Sequence, residues 1–117
     1  MKLLFIAAAA ALMMGCSTPP DVANRDALAE AQTIQREGQK RLLSYRALPD
    51  CKVSVTPCRD TATYIQMQGL SAMATADVRI AYDRMGVNPK DPSLPGLISA
   101  AKASATKLRD AVPTWGN

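Results

Sequence analysis

Histidine is missing altogether from the 117 residues. That removes the side chain most often used as a general base and as a metal ligand. Aromatic residues are scarce, Phe5, Tyr45, Tyr64, Tyr82 and Trp115 being the whole set, so a core has to be built from aliphatic side chains and alanine. The net charge is only +4 and the basic residues are not interleaved with stacking aromatics, which excludes the usual pattern of a nucleic-acid binder. No apolar run is long enough to cross a bilayer. The longest, residues 3–14, makes about 18 Å of helix against a hydrocarbon core of roughly 30 Å. Cysteine occurs three times, at Cys16, Cys51 and Cys58, an odd number that leaves one thiol without a mate in an exported chain.

What is present begins with that apolar run. Lys2 supplies a positive start, residues 3–14 an apolar stretch, and Gly15 a small residue before a cut. These are the parts of a secretory signal peptide, which is removed and takes no part in the fold. The ending Leu12-Met13-Met14-Gly15-Cys16 resembles the lipobox of bacterial lipoproteins. The resemblance implies that residues 1–15 are cleaved and that Cys16 becomes a lipidated first residue. Ser17 follows Cys16 where aspartate would be the usual retention signal, which resembles lipoproteins sent to the outer membrane and held on its periplasmic face. Residues 16–20 then form a lipidated tether, because Pro19 and Pro20 favour extended polyproline II.

Assigning Cys16 to lipid resolves the odd cysteine count. Cys51 and Cys58 remain, and in an exported chain they are expected to form a disulfide, which needs an oxidising compartment. Closing so short a loop contributes about 2.5 kcal/mol in the chain-entropy model. Half of a metal site is the alternative, but no histidine or further cysteine completes it.

The domain proper is residues 21–113, with residues 114–117 as a tail. Its patterning predicts an all-α fold, a small antiparallel bundle of about three helices. A first helix is expected over residues 22–48, capped by Asp21 and ended by Pro49, with the seam Leu28, Ala31, Ile34, Gly38, Leu42, Tyr45 and Leu48 turned inward. Residues 49–59 break the pattern and make a stapled loop. A second helix runs from about Asp60 to Met85, with Gly86 as its stop. It carries two apolar stripes, one through Tyr64, Met67, Ala74, Val78, Ala81 and Met85, the other through Ala62, Ile65, Gly69, Ala72, Ala76 and Ile80. So wide an apolar arc calls for two neighbours, which places this helix in the middle, with Gly69, Ala72 and Ala76 admitting one of them closely. Starts at Asp91 or Ser93 and a third helix over residues 97–112 complete the set, with Leu97, Ala101, Ala105, Leu108 and Val112 inward.

Catalytic patterns are thin. Gly69-Leu70-Ser71-Ala72-Met73 lacks the last glycine of a nucleophile elbow and no strand precedes it. Ser99 with Lys102, and Ser104 with Lys107, have the Ser-x-x-Lys spacing of penicillin-binding enzymes without the companion motifs. A Ser-Lys hydrolase is the reading from another class. Arg36, Lys40, Arg41 and Arg46 lie along one stretch of the first helix, as a solvated face or as a contact for anionic headgroups, lipopolysaccharide or an acidic partner. Trp115 is either a partner anchor or a residue folded back on the bundle.

The expectation is therefore a small lipoprotein, anchored through its N-terminal lipid to the outer membrane and facing the periplasm. It is non-enzymatic, needs no cofactor, and binds another envelope protein or serves a structural role there. Its architecture resembles the pilotins of secretion systems, which are small, helical and lipidated. A prophage-encoded lysis or exclusion lipoprotein is the alternative.

Overall fold

The computed structural model describes residues 19–51 and 57–112. The expected leader, Cys16 and Trp115 lie outside the described residues, as does the middle of the stapled loop. Three helices make up the fold: α1 (Pro20–Arg46), α2 (Thr61–Val87) and α3 (Leu94–Ala111). They run up, down and up, as the patterning predicts. Among the described residues there is no strand, only one isolated bridge between Asp50 and Arg59, and no helix long and apolar enough to cross a membrane.

Local chemistry explains the boundaries. α1 starts one residue before Asp21, with Pro19 as its cap and Pro20 in its first turn, where a missing N–H costs nothing. The expected tether therefore loses Pro20 to the helix. α2 is capped by Asp60, whose Oδ2 accepts from the Thr63 N–H at 2.9 Å and the Thr63 hydroxyl at 2.7 Å. It runs through Gly86 to Val87, past the expected stop. Gly86 has nothing near its Cα face, so no contact forces the chain to turn there. α3 starts at Leu94 rather than residue 97, with Pro95 in its first turn. Ahead of it, Asp91 Oδ1 accepts from the N–H and hydroxyl of Ser93, at 2.8 and 2.7 Å.

The core has two halves. Leu28 and Ala31 of α1 meet Val78 and Ala81 of α2 and Leu94, Ile98 and Ala101 of α3 at one end. Tyr45, Met67, Ala74, Leu108 and Val112 close the other. At about 1.5–3 kcal/mol for each large apolar side chain removed from water, Met67, Leu94, Leu108 and Val112, the largest fully buried residues, anchor the packing. The one buried polar residue among those described, Asn24, donates from Nδ2 to the Pro89 carbonyl at 3.0 Å. That bond ties the start of α1 to the α2–α3 connection.

The order of packing differs from the expectation. α3, the shortest helix, lies between the others and packs on both more extensively than α1 and α2 pack on each other. Close approach occurs at Gly38, where a β-carbon would stand 2.9 Å from Leu108 Cγ. α1 and α2 meet through polar side chains at their middle, where Gln35 and Gln39 both donate to the Thr75 hydroxyl, at 3.1 and 3.2 Å. The first stripe of α2 turns inward as predicted, with Met67, Ala74, Val78 and Ala81 buried and Tyr64 and Met85 half-buried. The second, through Ala62, Ile65, Gly69, Ala72, Ala76 and Ile80, faces solvent along its whole length.

Candidate interaction surface

The stapled end is the most highly organised part of the surface. The Cys51–Cys58 disulfide closes the loop and sets Asp50 beside Arg59, with the Cys51 N–H donating to the Arg59 carbonyl at 3.2 Å and the Arg59 N–H to Pro49 at 2.7 Å. The Arg59 guanidinium donates to Asp50 Oδ1 at 2.6 Å and to the Arg46 carbonyl at the end of α1 at 2.7 Å. It also stands 5.8 Å from the centre of the Tyr64 ring. Tyr64 in turn stacks on Tyr45 at 6.4 Å, and the buried Tyr45 hydroxyl accepts the Asp60 N–H at 2.8 Å. Arg59 thus joins the loop, the end of α1 and the start of α2. Sequence reasoning passes over it, and the signal that marks it is its place directly after Cys58.

A shallow groove separates α1 from α2 on the side away from α3. One end is lined by Leu28, Gln32, Tyr82 and Met85, with Arg25 at its rim. The other is lined by Leu42, Leu43, Tyr64, Gln68, Ser71 and Ala72, with Arg46 at its rim. The glutamine–threonine bridge lies between them.

The predicted basic group is divided by this geometry. Arg36 and Lys40 are exposed, one helical turn apart. Arg46 lines the groove. Arg41 turns the other way, toward α3, donating to the Arg109 carbonyl and to Glu37 Oε1, each at 3.0 Å. A guanidinium so occupied is withdrawn from any external anion. Carboxylates gather on the α3 side of α1, where Glu37 meets Arg41 and Glu30 meets Lys102 at 2.8 Å. Among the described residues Arg25, Arg36, Lys40, Arg46 and Arg79 form no ion pair.

The Ser–Lys pairs are also separated. Ser104 donates to Asp77 Oδ2, Lys102 is paired with Glu30, and no hydrogen bond joins either serine to its lysine among the described residues. Two carboxyls are held below the usual carboxylate range. Asp60 is held there by the hydroxyl and N–H of Thr63, and Asp91 by the N–H and hydroxyl of Ser93 with Arg84 assisting. Both act at helix starts. Comparison of the chain with family models, with curated proteins and with solved structures finds no match.

Proposed function

We propose that this chain is a lipid-anchored envelope protein of a Gram-negative bacterium, held on the periplasmic face of the outer membrane as a non-enzymatic binding module. The observation that carries the reading is the run from Lys2 through the apolar residues 3–14 to Gly15 and Cys16. An exported, oxidising setting suits the Cys51–Cys58 disulfide. Only three residues separate Cys16 from the first turn of α1 at Pro20, so a lipid on Cys16 would hold the bundle within roughly 10 Å of the headgroups. The groove between α1 and α2, apolar at its Leu28–Met85 end, mixed at its Leu42–Ala72 end and with Arg25 and Arg46 at its rim, is the surface offered to an envelope partner, much as a pilotin holds a segment between helices.

Mass spectrometry of the membrane fraction tests the anchor. The expected species begins at Cys16, carries acyl chains on that residue, and contains the oxidised Cys51–Cys58 pair. A chain that retains residues 1–15, or an unmodified Cys16 on a protein washed off by salt, would overturn the proposal.

A further inference from the structure

Most of the cations that form no ion pair share one face. Among the described residues they are Arg25, Arg36, Lys40, Arg46 and Arg79, with Lys90 and Lys107 elsewhere. Arg25 and Arg46 line the two ends of the groove between α1 and α2. Arg36 falls on the same wall, eleven residues after Arg25 and seven before Leu43, both close to whole turns. Lys40 follows one turn later. Arg79 stands on the α2 wall, seven residues from Ala72 and seven from Gly86. Carboxylates largely avoid this face. None lines either end of the groove, Glu30 and Glu37 are paired with Lys102 and Arg41 on the α3 side, and Asp26 lies one turn before Glu30. Asp21, at the start of α1, and Asp83, one turn past Arg79, are the exceptions.

Along the groove the chemistry alternates. Large apolar side chains stand exposed at its ends, Tyr82 at 62% beside Leu28 and Leu43 at 61% beside Leu42. Between them lies the polar bridge of Gln35 and Gln39 with Thr75, and Arg36, Lys40 and Arg79 flank it. Leu28 and Leu43 are about 22 Å apart along α1. We infer that the groove receives an acidic amphipathic helix of a partner protein, with apolar side chains about four turns apart and carboxylates on the turns between. The apolar ends hold such a helix, while the opposite charges between them set its register and speed its approach. Binding breaks no internal ion pair, because these cations have none. The order apolar, basic, apolar is one that a helix matches turn by turn; a lipid surface presents the same headgroups to the ends and to the middle. The inference rests on the groove being the partner surface and not on the lipid anchor.

Two measurements test it. The probe for the first is a fluorescein-labelled helical peptide of about 20 residues, with leucines in its first and last turns and glutamates on the same face between them. Anisotropy with the purified full chain is expected to give a Kd of about 1–100 µM at about 50 mM salt, weakened at least tenfold at about 300 mM. Arg36→Glu with Lys40→Glu should weaken binding at least tenfold with helix content unchanged. Lys90→Glu with Lys107→Glu, outside the groove, should leave it within twofold. Absence of binding, equal binding by a peptide with glutamine for glutamate or with its residues scrambled, or equal loss from both variants would overturn the inference. So would a chain that ignores the peptide yet binds vesicles of about 30% phosphatidylglycerol through Arg36 and Lys40. The second measurement places a photocrosslinker at Gln68 in intact cells, and the adduct is expected to map to an acidic helical segment. An adduct on a neutral or basic segment overturns the acidic helix and keeps the groove; no adduct overturns both.

Discussion

Gly38 of α1 lies so close to Leu108 of α3 that a β-carbon on the glycine would stand 2.9 Å from two atoms of the leucine side chain and 3.1 Å from the Arg109 backbone nitrogen. Glycine normally weakens a helix interior by about 1 kcal/mol relative to alanine. Here that cost is outweighed by contact. Gly38→Ala is expected to destabilise the fold by about 1–3 kcal/mol through overpacking, read as a lower urea midpoint. Gly69→Ala, in open space, is expected to raise it by about 0.5–1 kcal/mol. Two substitutions with the same chemistry should thus have opposite signs. Equal effects would contradict the packing of α1 on α3.

Removing the staple should weaken the protein without dissolving its helices. Replacing both Cys51 and Cys58 by serine is expected to cost about 2.5 kcal/mol, with the far-ultraviolet helix signal kept below the unfolding transition. Arg59 should register the change as well. Its place between Asp50 and the Arg46 carbonyl depends on the closed loop, so Arg59→Ala should destabilise the oxidised protein more than the serine variant. A double-mutant cycle measures that coupling, expected at about 0.5–1 kcal/mol. Strict additivity would show that Arg59 acts independently of the disulfide.

Acid should act through the helix starts. The Asp60 and Asp91 carboxyls titrate lower in the folded chain than in the unfolded one, first because of the bonds from Thr63 and Ser93. The unfolded chain therefore takes up protons near the ordinary aspartate value of about 3.9, and the folded chain only below it. Their contribution is fully present above that value and is lost as pH falls through the lower folded-state values. Without histidine, stability should be nearly flat from about pH 5 to 8 and fall below about pH 4. Asp60→Asn should flatten that acid limb in urea titrations at successive pH values. An unchanged limb would show that the Asp60 carboxylate contributes nothing at the start of α2.

The seam of α1 was legible because it is a single narrow stripe: Leu28, Ala31 and Tyr45 had one side to face and are buried. On α3, Ala101, Ala105 and Leu108 are buried as read, but its first turn was not legible. Leu94 and Ile98 fill the core and Leu97 only flanks it, because the helix starts earlier and packs on both neighbours. The Asp60 cap was legible from local chemistry alone. α2 was not, because the width of an apolar arc reports how much surface needs covering and not which molecule covers it. Met67 and Val78 found partners within the chain; Ile65 and Ile80 did not. Arg59 escaped notice for a different reason. Its contacts arise only when a covalent ring brings Asp50 and the end of α1 to the same place, and spacing along the chain does not carry that information. The basic residues of α1 were visible as a group, yet Arg41 and Arg46 point to different neighbours, since helical phase separates them.

Three helices are an odd number. Asn24 and Pro89 mark one pole of the bundle, Tyr45 and Val112 the other, about 32 Å away along α1. The described chain therefore starts at one pole and ends at the opposite one; a fourth helix would have brought it back. Probes placed at residues 19 and 112 would thus stand at the two ends of the bundle, and the distance between them would read its length, with residue 112 at the pole that carries the disulfide.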